Sequence, residues 1–409
     1  MGLLAQCFRE QVKKMKDPRM SSEHEFDVSY STGFLAFDFM NGNIVRIKRA
    51  TGEEESYSSI GLVDGSITTI IGRSGCGKTT YAVQVASNII RPFKDADMYI
   101  DSVEGGLTIP RLSTLTGWQG QELRDRVIDR NSGVTAENFY QRIKLIHDIK
   151  LQKREELTYN TGKLDDMGNP IIKFIPTPYI LDSLAMLMPE KYSSEEELAG
   201  QMAATATAKA NTQILKTIVP MLKATNIMLF LINHINQKVE LNPYAASKSQ
   251  LSYLKQGETM PGGNAAIYLA NNIIRFDDTK LKVEEYGVEG YKVAVQLIKS
   301  RTAAIGASKT VNLIFCQETG FDADLSLFLM LKDAEVITNS GAFYSIKGST
   351  IKFTRRGFKD KLKESPEFRQ EFVSAALNYL QNSLYEATQK YESYNSYQIT
   401  QEILNAMAA

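Results

Sequence analysis

The chain has 409 residues, too many for one small core, and its 43% hydrophobic and 23% charged content is that of a globular protein, not a disordered or collagen-like one. Lys plus Arg equals Asp plus Glu at 47 each, so net charge neither supports nor excludes nucleic acid, and the placement of charge must decide. Three widely spaced cysteines, Cys7, Cys76 and Cys316, argue against a disulfide framework or a four-ligand zinc site; with no secretory h-region and no apolar run of about 18 residues, a soluble cytoplasmic protein without a membrane span is expected.

In chain order, Leu4, Phe8, Val12 and Met15 recur near a helical period with Lys13, Lys14 and Lys16 opposite, so residues 4–16 read as a short amphipathic basic helix, followed by a polar linker to residue 27. This helix either lies on the surface or docks on a neighbouring subunit. From about Phe26 to Phe321 short β-rich runs alternate with longer helical ones, the pattern of an α/β domain around a largely parallel sheet. The strands expected are Ile67 to Ile71, Met98 to Asp101, Tyr179 to Asp182, Met228 to Ile232, Ile273 to Phe276, Val293 to Ile298 and Thr310 to Phe315; the helices are Lys78 to Ile90, Ala136 to Leu151 and Met202 to Leu222. Residues 152–178 interrupt the rhythm and read as an inserted hairpin or surface loop, with turn chemistry at Asn160 to Gly162 and Asp166 to Pro170. Ala334 to Lys347 reads as a strand turn, Lys359 to Leu384 as helical, and 386–409 as a polar, Tyr-rich tail.

The strongest local signal is Gly72-Arg73-Ser74-Gly75-Cys76-Gly77-Lys78-Thr79, a G-x-x-x-x-G-K-[ST] match between an apolar strand and a helix, with Thr80 next in line. Glycines let backbone N–H groups turn around a β-phosphate, Lys78 reaches the β- and γ-phosphates, and the Thr79 hydroxyl ligates magnesium. Cys76 reads as a small side chain pointing away from the nucleotide. Hydrolysis also needs carboxylates at C-terminal strand ends. MYIDSVEGG supplies Glu104, assigned to the attacking water, and YILDS supplies Asp182, assigned to magnesium alongside Thr79. A third strand, IMLFLINHINQK, ends in Asn233 and His234, polar groups expected to feel the γ-phosphate.

These segments in this order resemble the RecA family of recombinases from roughly Val28 to Leu384, carried by SYSTGFLAFDFMNG, the P-loop, YIDSVEGG, YILDSLAML, LFLINHINQK, PGGNAAIYLA, LIKSRTAA and SGAFYSIKG. The resemblance implies a RecA-like ATPase core over 28–325 with its insert at about 152–178, an N-terminal oligomerisation helix and linker at 1–27, a small C-terminal α/β domain at 326–385 and a tail at 386–409. It implies Glu104 as the residue that activates water, Asp182 as the Walker B carboxylate, and Asn233 with His234 as a sensor linking γ-phosphate to DNA. It matches Lys299 and Arg301 to lysines that reach a neighbour's ATP across the filament interface. The segment Asn236 to Gly263 matches the second DNA-binding loop. Its make-up agrees: Lys238, Lys248 and Lys255 interleave with Tyr244 and Tyr253, and Gly262, Gly263 and Asn264 close it. Lys209 and Lys216, seven apart on one helix face, match basic residues that contact the DNA backbone.

From Lys347 to Lys363 stand seven basic residues against the single acid Asp360, a cluster suited to gathering duplex DNA. Three features depart from the family pattern: the 152–178 insert, the lack of an acidic tail, and Arg111 where an aromatic residue commonly stacks on adenine. They imply a divergent, phage-encoded type of member. The expectation is therefore an ATP- and Mg2+-dependent recombinase that polymerises as a helical homo-oligomer on single-stranded DNA, pairs it with duplex DNA and exchanges strands. The rivals are a ring helicase, a regulatory DNA-dependent ATPase and, more remotely, a small-molecule P-loop kinase.

Overall fold

Ile67–Gly72, ITTIIG, is apolar at both parities, as a strand buried on both faces of a parallel sheet should be. In the computed structural model of the protein its side chains divide: Ile70 joins one core cluster with Phe34, Phe37, Tyr81 and Phe276, while Ile67 and Ile71 join a second with Phe139, Leu215 and Ile218. The structure describes residues 27–49, 51–103, 105, 107–130, 134–190, 201–237, 254–255, 258–261, 265–282, 290–303 and 309–389, and the single positions 4, 7, 10, 11 and 406. Positions 4, 7, 10 and 11 are helical; the rest of the expected N-terminal helix and the tail beyond 389, apart from 406, lie outside the described residues.

In chain order the strands are β1 (Ser29–Tyr30), β2 (Asn43–Lys48), β3 (Glu54–Ser59), β4 (Leu62–Val63), β5 (Ile67–Gly72), β6 (Met98–Ser102), β7 (Val127–Arg130), β8 (Thr158–Leu164), β9 (Pro170–Phe174), β10 (Thr177–Asp182), β11 (Ile227–His234), β12 (Asn236–Gln237), β13 (Glu258–Thr259), β14 (Asn272–Lys282), β15 (Tyr291–Ser300), β16 (Lys309–Cys316), β17 (Gly320–Asp322), β18 (Ile337–Ser340), β19 (Phe343–Ile346) and β20 (Phe353–Thr354). Nine of them form one sheet in the order β17-β16-β15-β14-β5-β11-β10-β6-β7. From β14 to β7 every pairing is parallel; β15, β16 and β17 continue the sheet antiparallel. The fold is thus α/β around a mostly parallel sheet. The helix Lys78–Ile90 packs within the first cluster, whereas Ala136–Gln152 and Gln201–Thr225 supply the second. All seven expected strands and all three expected helices are present, with ends moved by a few residues. β14 moved most, running six residues past Phe276 to Lys282.

Other expectations need correction. The 152–178 insert is a hairpin, β8 with β9, but Asn160 to Gly162 does not reverse the chain: the Gly162 amide donates to the Asn160 side-chain oxygen at 2.9 Å in a local turn inside β8, where the pairing register shifts between Asn160 and Leu164 and Gly162 takes a positive φ. The reversal is made by 165–169 alone, where Asp165 accepts bonds from the amides of Met167 and Asn169. The helical stretch 359–384 is two helices, Phe358–Glu364 and Pro366–Gln389, because Pro366 forces Ser365 into an extended conformation. Ala334 to Lys347 contains the hairpin β18–β19. Together with the helix Ala323–Asp333, it surrounds a third cluster rich in aromatics, among them Phe328, Tyr344, Phe353, Phe358 and Phe368. Among the described residues no helix is long and apolar enough to cross a membrane.

Candidate nucleotide site and its neighbours

The C-terminal ends of β5, β6, β10 and β11 lie side by side, and the chemistry-bearing residues follow from them. Gly72 ends β5 opposite His234 of β11 and Phe276 of β14. A Cβ on Gly72 would stand 2.5 Å from the carbonyl of Phe276, so only glycine lets the strands approach this closely. Arg73, Ser74 and Gly75 form an exposed crest, and Gly75 and Gly77 take φ of 80° and 85°, the left-handed region that side chains disfavour. The chain then turns directly into the helix that starts at Lys78.

The Lys78 amine, 4% exposed, donates to the Arg73 carbonyl at 2.7 Å and so bridges the loop from within. The Thr79 hydroxyl donates to the Asp182 carboxylate at 2.5 Å. A hydroxyl and a carboxylate side by side are the hard oxygen donors that suit magnesium, so the residues present fit that ion. Cys76 is buried against the core, its thiol donating to the Arg73 carbonyl at 2.9 Å, and burial pushes its pKa up; this is a packing residue. Thr80 accepts from Arg111 at 3.2 Å, and Arg111 also donates to the carbonyls of Gln317 (2.8 Å) and Glu318 (2.6 Å). Its guanidinium is thereby fixed beside the first turn of the helix following the loop, and desolvation lowers its pKa.

Glu104 lies outside the described residues, but its neighbours are tied down: the Val103 amide donates to the Asp182 carbonyl at 2.6 Å, and the Ser102 hydroxyl to the Gly105 carbonyl at 3.3 Å. The other acid of that strand end, Asp101, is sealed by Arg142 and Tyr179. Asn233 is fully buried, and its amide nitrogen donates to the Pro261 carbonyl at 2.7 Å, while its oxygen accepts from the His234 amide at 3.0 Å. The polar end of β11 is therefore fastened to the chain just before Gly262.

Lys299 and Arg301 stand elsewhere. Ser300 pairs with Asn272, which pairs with Thr68 at the start of β5, four residues before Gly72. At ~3.3 Å per residue that is about 13 Å along the strand from the P-loop. There the Lys299 amine donates to the carbonyls of Ile267 and Tyr268 at 2.9 and 3.1 Å, and Arg301 donates to that of Tyr268 at 3.0 Å. The structure brings Lys299 and Arg301 together but at the opposite end of the strands from their own P-loop.

Lys209 and Lys216 are both exposed on the helix Gln201–Thr225. Lys255 is exposed, with its amine 3.4 Å from Asp277. Lys238, Lys248, Tyr244, Tyr253, Gly262, Gly263 and Asn264 lie outside the described residues. Of the C-terminal basic cluster, Lys347, Lys352, Arg356 and Lys363 are exposed, whereas Lys359 pairs with Asp322 and Arg355 lies on Tyr344.

Over 319 residues the chain is 23% identical to Protein RecA of Macrococcus caseolyticus (strain JCSC5402), an overlap covering 76% of this chain and 75% of that protein. It is 24% identical over 329 residues to Protein RecA of Aquifex aeolicus (strain VF5), covering 76% of each. With Protein RecA of Francisella philomiragia the identity is 28% over 209 residues, 49% of this chain and 52% of that one. The chain is thus similar to RecA proteins over about three quarters of its length. No protein-family model matches it.

Two features of this site escaped sequence reasoning. Tyr291, at the start of β15, donates to the Gly75 carbonyl at 3.2 Å and touches the crest of the P-loop. Arg275 of β14 is buried between Glu258 and Asp277 at the base of the Lys- and Tyr-rich segment. The spacing of Arg275 and Asp277, two apart on a strand and hence on one face, was a usable signal for half of that cluster. Glu258, seventeen residues earlier, carried none.

Proposed function

We propose that this chain is an ATP-dependent DNA recombinase that forms filaments on single-stranded DNA, pairs it with duplex and exchanges strands. Thr79 and Asp182 would hold magnesium, which would supply charge neutralisation at the phosphates. Lys78 is then drawn from the Arg73 carbonyl to the phosphates, Glu104 orients the attacking water, and Arg111 closes the base side of the site. Asn233 and His234 sense the γ-phosphate and, through the bond to Pro261, bias the segment Asn236 to Gly263, whose lysines follow phosphates while Tyr244 and Tyr253 stack on bases. Residues 1–27 dock on the neighbouring subunit, 28–325 form the ATPase core, and the basic cluster of 326–385 gathers duplex. Arg111, His234 and the hairpin insert point to a phage-encoded branch of the family with its own regulation.

The observation that carries this reading is the position of Lys299 and Arg301. Two cations matched to a nucleotide role stand about 13 Å along the sheet from their own P-loop, so they serve such a role only in another copy's site. A site shared between successive subunits makes the oligomer the active species. The test mixes Lys78→Ala with Arg301→Ala, each inactive alone. Each mixed interface that joins the intact P-loop of one variant to the intact Arg301 of the other is complete, so the mixture should regain ATP hydrolysis on single-stranded DNA. A mixture as inactive as its components would overturn the shared site, and closed rings by electron microscopy would favour a helicase.

A further inference from the structure

The base of the segment 238–257 is the two-residue ladder β12–β13, Asn236 with Thr259 and Gln237 with Glu258. So short a ladder is not stable by itself. It is fastened to the sheet by a buried ion cluster. Arg275, 2% exposed, donates a fork of two bonds to Glu258 at 2.7 and 2.9 Å and two more to Asp277 at 2.8 and 3.0 Å. Glu258 also accepts from the Lys255 amide at 2.8 Å, closing the corner where the segment returns. The other end of the fastening is the P-loop strand: Arg275 pairs with Ile71 and Phe276 with Gly72, and the Phe276 ring lies 5.0 Å from that of Tyr81, one turn into the helix that follows the loop.

A buried ion pair adds little net stability over an apolar filling of the same space, and its best-attested use is to fix one arrangement against its alternatives. Here the arrangement that is fixed is the angle between the segment's base and the strand beside the P-loop. We propose that Arg275 and Glu258, with Asp277, are positioning residues forming a rigid joint that passes nucleotide occupancy from the P-loop to the segment 238–257, in parallel with the Asn233–Pro261 bond. The inference rests on the proposed recombinase reading, because it needs that segment to bind DNA.

The test compares four full-length proteins: wild type, Glu258→Gln, Arg275→Lys, and the double variant Glu258→Met with Arg275→Met. Arg275→Lys keeps the charge and loses the fork; the double variant fills the space without charge. The readouts are melting temperature, KM and kcat for ATP without DNA, and kcat with saturating single-stranded oligonucleotide. The expected result is a KM and basal kcat within about twofold of wild type in all variants that melt cooperatively, with the DNA-stimulated kcat reduced tenfold or more. The double variant should recover any loss in melting temperature without recovering stimulation. Stimulation restored in the double variant, retained in both single variants, or lost only in proportion to basal kcat would each show that the cluster merely fills space and would overturn the joint. A wild-type protein with no DNA stimulation would instead overturn the recombinase reading itself, and the joint with it.

Discussion

Lys150 gives the packing a quantitative test. It lies on the helix Ala136–Gln152, is 4% exposed, and its amine donates to the Ile175 carbonyl at 2.6 Å and the Thr177 hydroxyl at 2.8 Å. It therefore pins the end of the insert to the first residue of β10, the strand that delivers Asp182. Burial pushes its pKa down to about 7, with Asp97 pulling weakly the other way. An unfolded chain titrates the same amine near ~10.4. Between those values the unfolded state binds more protons than the folded one, so stability rises with pH, by up to about 1.4 kcal/mol per unit. The full window corresponds to about 5 kcal/mol as an upper bound. The amine borders a cavity of 90 Å3 lined by Asp95, Asp97 and Tyr99. Water entering it lowers the expected change to about 2–3 kcal/mol. Lys150→Met removes this titration and leaves two acceptors without their donor, at a cost of about 1–3 kcal/mol that does not depend on pH. Guanidinium unfolding of both proteins at pH 6.5, 8 and 9.5 reads the difference. The wild type should gain on the variant by roughly 2 kcal/mol or more from the lowest to the highest pH. Two parallel pH curves, constant to about 0.5 kcal/mol, would show that the amine is solvated and the burial argument wrong.

Gly72→Ala sets a methyl 2.5 Å from the Phe276 carbonyl, so the central strands must separate. A loss of about 1–3 kcal/mol is expected by denaturant titration, and an unchanged midpoint would show that β14 yields freely. His234→Ala should leave ATP binding intact while removing most of the DNA stimulation of hydrolysis; unchanged stimulation in steady-state assays would take His234 out of the relay. Arg111→Ala releases the carbonyls of Gln317 and Glu318 and opens the flank beside Thr80. Nucleotide affinity measured by calorimetry should fall about tenfold, the scale of one charge-assisted contact, and an equal affinity would limit Arg111 to bridging protein segments.

Much of the core was legible because its signals are local. β5, β10 and β11 are continuous apolar runs, and the P-loop motif marks both the end of a strand and the start of a helix. The hairpin β2–β3 escaped because EESYSS has none of the apolar alternation that marks a strand; it is held by its pairing with NIVRIK. Asn160 to Gly162 has the composition of a turn, but the adjoining ladder absorbs it as an irregularity. Lys150 continues the buried stripe of Phe139, Ile143 and Ile146 on its helix, but as a lysine near the helix end it reads as surface, and its burial depends on the exit of the insert packing over it. In the site, Asp182 and Thr79 were legible from motif and strand order, and they meet. The displacement of Lys299 and Arg301 from their own P-loop was implied by family resemblance and has its physical reason in the antiparallel turn of β15. The Arg275–Glu258 pair joins residues whose proximity depends on where the segment between them returns, which no local pattern encodes.

The most direct test of the central claim is steady-state ATP hydrolysis with and without single-stranded DNA, for wild type and Lys78→Ala, with the same samples viewed by negative-stain microscopy. The account predicts strong stimulation by DNA, abolished in the variant, and helical filaments that form only with ATP. Hydrolysis indifferent to DNA, with rings or single subunits on the grid, would contradict it.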